Sequence, residues 1–279
     1  MNRTMQLKDK IKNMALKNHV PAQAILQNYM LERLLDRISL SRYKDKIVLK
    51  GGMLISSMVG INNRTTMDID ATMRGYPISE ETVREAISEI CAISLNDEVS
   101  LVLDHILPIR EDDEYGGYRV AIIASYETII TPLKFDITTG DVITPDAIRY
   151  AFHSFFEDKL IEVWAYPIET ILAEKVETIL RRSVLNTRPR DFYDVYIIMK
   201  THRRAISKKT FLTALHATSE KRGSLSALQD KEKILATIQS DANMGQRWDR
   251  YCEENFYAKG ISFDDVMGTL HDLANQVRR

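Results

Sequence analysis

The spacing of apolar residues changes along the chain between a helical period and a strand period. Apolar side chains three or four positions apart favour an amphipathic helix, whereas strict alternation favours a half-buried strand. These patterns predict helices over residues 5–18, 22–38, 53–59 and 79–93, and strands over residues 46–50, 67–72, 99–109, 118–126 and 133–138. From about Pro145 the pattern is helical to the end. The sequence therefore predicts an α+β fold, a mixed sheet flanked by helices and followed by a helical region.

Length and composition fit two compact domains, or one large domain with additions. The chain has 279 residues, of which 44% are hydrophobic and 28% charged, as in ordinary globular proteins with a proper core. We expect N-terminal helices over residues 1–45, a core domain over residues 46–150 and a helical C-terminal domain over residues 151–279.

Several classes of protein are disfavoured by what the sequence lacks. No apolar run approaches the ~20 residues that span a bilayer, and the basic segment from Met1 to Lys17 lacks the apolar centre of a secretory signal. Cys91 and Cys252 lie far apart without metal-ligand spacing. P-loop, G-x-G-x-x-G and G-x-S-x-G motifs are absent from the sequence. We expect a cytoplasmic protein that does not bind membranes.

Two aspartates lie two positions apart in the predicted strand 67–72. Because strand side chains alternate between faces, Asp68 and Asp70 share a face, with Cα atoms roughly 6.5–7 Å apart. Two carboxylates at this spacing can bind a hard cation such as Mg²⁺ through oxygen. An isolated D-x-D pair is common, and Gly51-Gly52 alone fits a plain strand-to-helix turn. The order strand, double glycine, helix and acidic strand is what points to a nucleotide site, because glycines let the backbone approach phosphates at a helix N-terminus.

Asp136 lies between Phe135 and Ile137 in another predicted strand. A carboxylate between apolar neighbours is costly to bury without a partner. A cation shared with Asp68 and Asp70 would be one partner, and an ion pair on an edge strand would be another. Three carboxylates that hold two metal ions can activate an attacking hydroxyl and stabilise departing pyrophosphate.

A lysine interrupts the apolar stripe of the predicted helix over residues 167–181. Lys175 lies four positions from both Ile171 and Ile179, on the apolar side. Its charge could reach solvent from the edge of the core, or it could bind a phosphate. Under both interpretations Lys175→Met should either leave the melting temperature unchanged or raise it, because the substitution removes a charge whose desolvation is costly.

The stretch from Lys175 to Arg222 is strongly basic, with 12 basic and four acidic residues. Such a stretch is either an ordinary solvated face or a surface for a polyanion such as RNA. Within it, Asp191 and Asp194 fall on one face of a predicted helix. Asp191 near the helix start could also simply complement the helix dipole.

Four stretches of the chain resemble one known family. They are LKGGMLISSMVGINNRTTMDID (Leu49–Asp70), KFDITTGDVITP (Lys134–Pro145), PIETILAEKVETIL (Pro167–Leu180) and RPRDFYDVY (Arg188–Tyr196). They resemble the AbiEii/AbiGii toxins of type IV toxin–antitoxin and abortive-infection systems, which belong to the DNA polymerase β-like nucleotidyltransferase superfamily. The resemblance covers most of residues 20–200.

The resemblance implies nucleotide-binding roles for five residues. Gly51 and Gly52 match the glycine loop that contacts the nucleotide triphosphate. Arg64 and Thr66, in the R-x-T-x-D-x-D pattern, would orient this loop. Lys175 matches a family lysine that supports the nucleotide phosphates and so contributes to catalysis.

The resemblance also implies roles for five carboxylates. Asp68 and Asp70 match the paired metal-binding carboxylates. Asp136 matches the third carboxylate, a base or metal ligand near the attacking hydroxyl. Asp191 and Asp194 match the acidic pair of the last motif, which is counted among the catalytic residues without separate roles.

The function implied is that of a Mg²⁺-dependent nucleotidyltransferase toxin, in which the helical C-terminal domain completes the active site. Its partners would be an NTP, an acceptor and an antitoxin that need not bind the toxin directly. In relatives the acceptor is often RNA, particularly the tRNA acceptor end, and growth arrest follows, as in phage defence by abortive infection. The alternatives are a nucleotidyltransferase acting on a small molecule or protein, and a non-catalytic NTP-binding module, against which the intact acidic set argues.

Overall fold

The computed structural model describes residues 3–109 and 116–276. The helices are α1 (Arg3–Asn18), α2 (Ala22–Leu40), α3 (Gly51–Val59), α4 (Glu80–Ala92), α5 (Ile168–Arg182), α6 (Pro189–His202), α7 (Lys208–Lys221), α8 (Leu225–Gln229), α9 (Lys231–Ser240), α10 (Ala242–Glu254) and α11 (Phe263–Gln276). The strands are β1 (Ile47–Lys50), β2 (Asp68–Met73), β3 (Val99–Pro108), β4 (Gly117–Tyr126), β5 (Ile129–Thr139), β6 (Ile148–His153) and β7 (Leu160–Ala165). The α+β prediction is confirmed. None of the helices described is both long and apolar enough to cross a membrane.

The seven strands form one mixed sheet in the order β3-β4-β5-β2-β1-β7-β6. β2 is parallel to β5 and antiparallel to β1, while β1 is parallel to β7. The hairpins β3–β4, β4–β5 and β6–β7 are antiparallel. The strands that carry the predicted carboxylates, β2 and β5, are therefore neighbours in the middle of the sheet.

The sheet has one apolar and one polar face near its centre. On β2, Ile69 and Ala71 are completely buried, as is Phe135 on β5. Asp68 and Asp70, which alternate with them, are only partly buried. Helices α2, α3 and α4 contact strands of this sheet. Alternation along the strand thus places the carboxylates away from the apolar core, as predicted.

The chain divides into two compact units. The first consists of Met1–Asp141 with Ala147–Ala165, and the second of Val142–Asp146 with Tyr166–Arg279. The first unit contains the whole sheet, and the described elements of the second are helical.

The prediction of continuous helix from Pro145 is wrong up to residue 165, because β6 and β7 lie there. The signal was present in the sequence. Ile161, Val163 and Ala165 alternate with exposed or half-exposed residues on β7 and are buried. This period of two is the pattern of a half-buried strand.

Polar residues of α2 fix the start of β2. The side-chain amide of Gln27 donates a hydrogen bond to the backbone carbonyl of Met67 (3.0 Å), and that of Asn28 donates to the carbonyl of Thr66 (3.3 Å). Both amides are buried. Because buried backbone carbonyls need partners, these bonds hold the segment that leads into Asp68 against the helix.

Glu32 of α2 is a fully buried carboxyl group with two neutral hydrogen-bond donors and the Arg33 guanidinium 3.8 Å away. It accepts hydrogen bonds from the Ser154 hydroxyl (2.7 Å) and from the Phe155 backbone N–H (2.9 Å). Burial raises its pKa to about 7, although these two donors and the nearby Arg33 act in the opposite direction. The folded protein therefore binds a proton at Glu32 more tightly than the unfolded chain does.

Glu32→Gln is expected to make the protein relatively more stable than wild type as the pH rises. The stability that comes from protonated Glu32 is fully present below the usual pKa of 4.5 and is lost as the pH rises through about 7. The difference in unfolding free energy should shift by up to about 3 kcal/mol between acid and neutral pH. Urea unfolding at several pH values measures it. Glu162→Gln, at an exposed position of β7, is the control, and identical pH profiles for all three proteins would refute the assignment.

Candidate active site

Four charged side chains form a row across the middle of the sheet. Lys50 of β1 is in register with Asp70 of β2, Asp70 with Asp136 of β5, and Asp136 with Arg119 of β4. Residues in register on neighbouring strands share a face of the sheet, and neighbouring strands lie about 4.8 Å apart. The row therefore places two carboxylates side by side with a cation at each end.

The two aspartates of β2 are each held by a donor from the preceding segments. The Thr66 hydroxyl donates to Asp68 Oδ1 (2.8 Å), and the Gly52 backbone N–H donates to Asp70 Oδ2 (3.3 Å). Gly52 lies in the first turn of α3, where backbone N–H groups have no partner within the helix. The helix N-terminus thus faces the carboxylate pair.

The turn between β1 and α3 lies so close to Asp70 and Thr66 that only glycine fits at positions 51 and 52. A Cβ on Gly51 would lie 2.0 Å from Asp70 Oδ2, and a Cβ on Gly52 would lie 2.6 Å from the Thr66 hydroxyl oxygen. Gly51 also has a φ of +67°, in the left-handed region that side chains disfavour. Any larger residue would displace a carboxylate or its donor, so the turn between β1 and α3 is shaped by its contact with β2.

Arg64 lies at the same turn. It is buried, and its Nη2 would lie 3.5 Å from a Cβ on Gly52. Its backbone carbonyl accepts a hydrogen bond from the Ser56 hydroxyl of α3 (2.5 Å), and its guanidinium bonds to the carbonyl of Thr65. The structure thus brings together the predicted residues of the first unit, which are Gly51, Gly52, Arg64, Thr66, Asp68, Asp70 and Asp136.

Asp136 is bound by an arginine in two-pronged geometry. Arg119 Nε and Nη2 donate to the two oxygens of Asp136 at 2.8 and 2.6 Å. The Asp136 side chain is 16% exposed and that of Arg119 is 52% exposed. A shared cation and an ion pair were the two partners considered for Asp136, and the structure shows the ion pair, with Arg119. Across residues 3–109 and 116–276 there is no cluster of three or more His, Cys, Asp or Glu side chains that could hold a metal, so the metal role of Asp136 stays a prediction.

Arg119, Lys50 and Asp141 were not predicted from the sequence. Lys50 Nζ donates to Asp141 Oδ2 (2.5 Å) and to the Thr138 hydroxyl (2.8 Å), and the Asp141 side chain is completely buried. The position of Lys50 directly before Gly51 was a signal that could have singled it out. The partners of Asp141 and Arg119 follow only from the arrangement of the strands in the sheet.

A second cluster of predicted residues lies in the helical unit. Lys175 Nζ of α5 lies 2.6 Å from Asp191 Oδ1 and 3.1 Å from Asp194 Oδ2, both on α6. The lysine side chain is 19% exposed, and the aspartates are 5% and 0% exposed. Burial lowers the pKa of Lys175, but the two carboxylates outweigh it, so the pKa lies above its usual value. Lys175 is therefore part of a largely buried ion-pair cluster, and only a small part of its side chain is exposed to solvent.

Part of the basic stretch from Lys175 to Arg222 is neutralised inside the same unit. Arg222 pairs with Glu174 (3.0 Å) and Glu177 (2.6 Å), and Arg181 pairs with Glu177 (2.9 Å). Glu177 and Arg222 are nearly inaccessible to solvent. Fewer positive charges of this stretch are therefore available to bind a polyanion than the count of basic residues in the sequence suggests.

Comparison with known proteins matches this chain to a family model and to solved structures. The family model described as "Nucleotidyl transferase AbiEii toxin, Type IV TA system" matches residues 33–269. The structure of MenT4, a nucleotidyltransferase toxin from Mycobacterium tuberculosis H37Rv, is similar with a TM-score of 0.57 and 14% identity, covering 100% of both chains. JHP933 from Helicobacter pylori gives a TM-score of 0.50 at 14% identity, with 92% of this chain and 94% of that chain covered. At these identities the likeness shows the fold alone. No match was found among curated proteins.

Proposed function

Because the chain belongs to the AbiEii family of nucleotidyltransferase toxins of type IV toxin–antitoxin systems, we propose that it transfers nucleotides from an NTP to RNA, with the tRNA 3′ end as the acceptor. The observation that carries the proposal is the row of charges at the glycine turn. Asp70 lies in register with Asp136 and beside the N-terminus of α3, whose two glycines approach the Asp70 carboxylate without a side chain in between. Blocked tRNA would stop translation and so arrest growth until the antitoxin intervenes.

The donor set on β2 suits magnesium. Asp68 and Asp70 offer carboxylate oxygens on one face of a strand, and hard cations prefer oxygen ligands. When bound there, Mg²⁺ would neutralise charge that develops on the transferred phosphate. The Gly52 backbone N–H and the positive end of α3 favour negative charge at the same place. This combination supports binding of a triphosphate next to the carboxylates.

Asp136 is the proposed base. In the reaction the acceptor hydroxyl oxygen forms a bond to the α-phosphorus of the NTP, the bond from this phosphorus to the pyrophosphate breaks, and the hydroxyl proton passes to a carboxylate. Arg119 holds both oxygens of Asp136 and so fixes the orientation of this carboxylate. In this proposal Asp136 receives the proton after Arg119 has released one of its oxygens.

The role of Lys175 as a phosphate ligand stays a prediction, as do the catalytic roles of Asp191 and Asp194. Two carboxylates already surround the Lys175 ammonium. A phosphate would have to compete with them for the same charge. The ion pairs support, in the first place, a function in joining α5 to α6.

Transfer of label to isolated cellular fractions tests the proposed acceptor. The purified protein is incubated with Mg²⁺ and each α-labelled NTP in turn, together with deproteinised bulk tRNA, a protein fraction or a small-molecule fraction. We expect label on tRNA, lost on chelation of the metal and weakened by added salt because phosphate contacts release counterions. Label on protein or small molecules only, with RNA untouched, would overturn the RNA acceptor and favour the corresponding alternative.

A further inference from the structure

Four exposed cations lie where α6 passes into α7 in the helical unit. Arg203 and Arg204 begin the short 3₁₀ turn that follows α6, and Lys208 and Lys209 are the first two residues of α7. All four residues are exposed, and we name them the basic corner. The surrounding segment, residues 195–219, contains no Asp or Glu.

The basic corner lacks the ion pairs that neutralise other parts of the basic stretch. Arg181 and Arg222 are paired with acidic residues of α5. In the part of the chain that the structure describes, no carboxylate forms an ion pair with any of the four side chains of the corner. One buried carboxylate, that of Glu169 on α5, accepts a hydrogen bond from the Ser207 backbone N–H (2.8 Å). The corner therefore has four positive charges next to one negative charge, and its cations are available to a ligand.

Folding stability does not explain the two lysines of α7. Lys208 and Lys209 lie in the first turn of the helix, where the positive end of the helix dipole disfavours cations, and this turn contains no acidic residue. Helix α11 of the same unit follows the usual rule, with Asp264 and Asp265 in its first turn. The two lysines thus weaken the start of α7, and a negatively charged ligand would offset this cost.

The surface around the corner favours a phosphate backbone over a protein or a membrane. Among the described residues, every large apolar side chain that is exposed lies at position 185 or earlier in the chain. Interfaces between proteins have an apolar centre, and helices that lie on membranes bury an apolar face. Binding to the phosphates of a nucleic acid, in contrast, is supplied by positive charge itself.

Resting on the proposed RNA acceptor, we propose that the basic corner binds the phosphate backbone of that RNA in its base-paired part. Ammonium and guanidinium groups bind phosphates whatever the base sequence, so tRNAs of different sequence would be held alike. Residues 203–209 contain no aromatic residue on which unpaired bases could stack, and a paired stem is therefore the better fit. The corner positions the RNA and takes no part in the chemical step.

The test compares Lys208→Gln/Lys209→Gln with Lys231→Gln/Lys233→Gln. The control removes the same number of lysines from the first turn of another helix of the same unit, α9, where Glu232 lies between them. Fluorescence anisotropy of labelled bulk tRNA without NTP and steady-state transfer to tRNA are measured. For the corner variant we expect the Kd and the KM for tRNA to rise about tenfold. The slope of log affinity against log salt should fall by about 0.9 for each lost contact with a paired backbone. kcat and the KM for NTP should stay near wild type, as should every value for the control.

Reversing the charge of the two lysines separates RNA binding from stability. Acidic residues suit the first turn of a helix, so Lys208→Glu/Lys209→Glu should melt at or above the wild-type temperature while its affinity for tRNA falls about a hundredfold. Arg203→Gln/Arg204→Gln tests the other half of the corner and should weaken tRNA binding about as much as the neutral lysine variant. Wild-type affinity for tRNA in all three corner variants would refute the proposal.

Wild-type activity and the affinity of the variants separate the two proposals. If the wild type labels no RNA, the proposed function fails, and the role of the corner fails with it. If the wild type labels tRNA and the corner variants bind tRNA unchanged, the corner is refuted while the function stands. Loss of binding to vesicles of anionic phospholipid, with tRNA binding intact, would likewise overturn it and assign the corner to a membrane surface.

Chemical acetylation of wild-type lysines gives an answer that does not depend on the folding of any variant. The protein is acetylated with and without tRNA, and the modified lysines are mapped by mass spectrometry. We expect tRNA to protect Lys208 and Lys209, which lie in the corner, and to leave Lys233 reactive. Equal modification of Lys208 and Lys209 with and without tRNA would overturn the proposal.

Discussion

Asp70→Asn is expected to lower nucleotide transfer by about 1,000-fold or more without loss of the fold. The substitution keeps the size of the side chain and an oxygen that can accept the Gly52 N–H, so the turn between β1 and α3 retains its contact. It removes the negative charge beside Asp136 in the charged row, and with it the charge that binds a hard cation. Single-turnover transfer rates and thermal melts measure the two effects separately.

Asp104→Asn serves as the matched control for Asp70→Asn. Asp104 is a half-exposed carboxylate on β3 of the same sheet, paired only with His105 among the contacts that the structure gives for it. This variant should transfer nucleotides and inhibit growth like the wild type. Full transfer activity, or full growth inhibition, by a folded Asp70→Asn protein would refute the assignment of the carboxylates.

Lys175→Met is expected to lower the free energy of unfolding by about 3–5 kcal/mol. The change leaves Asp191 and Asp194, which are 5% and 0% exposed, without their cation. The raised pKa of Lys175 keeps its amine charged at neutral pH, so the substitution removes a full positive charge there. This expectation reverses the one drawn from the apolar stripe, which foresaw a level or higher melting temperature.

Urea unfolding followed by circular dichroism measures the effect of Lys175→Met. Lys200→Met is the control, because Lys200 is an exposed lysine of α6 whose amine lies over the Tyr196 ring. It should change stability by less than about 0.5 kcal/mol. Adding Asp191→Asn and Asp194→Asn to Lys175→Met should recover part of the loss, since the unpaired charges are then gone. A Lys175→Met protein as stable as wild type would contradict the ion-pair cluster.

Features that depend on neighbouring residues in the chain were predictable. Alternation placed Asp68 and Asp70 on one strand face. Ser79 and Thr82 form the reciprocal cap that begins α4, and their spacing of three positions is a local pattern of such caps. The double glycine indicated a turn that must approach something closely. Each of these depends on a period or a local hydrogen bond that the sequence displays directly.

Features that depend on strand register were not predictable from one sequence. Arg119 meets Asp136 only in the particular register of the β4–β5 hairpin, and Lys50 meets Asp141 only after β1 has been placed in the sheet beside strands that are distant in sequence. The case of Lys175 is similar. Its apolar neighbours on α5 were visible, but its carboxylate partners lie on the next helix, and helical spacing within one element cannot reveal contacts between two.

The parallel pairing of β1 with β7 has a consequence for synthesis on the ribosome. β1 (Ile47–Lys50) is made early, but its second neighbour (Leu160–Ala165) emerges only much later. Until then β1, an interior strand of the finished sheet, has an unpaired edge, which can template pairing with other chains. Prematurely ended translation products that stop before Leu160 would carry the complete row of charges on an unfinished sheet. Such products are expected to aggregate or be degraded before they reach a substrate.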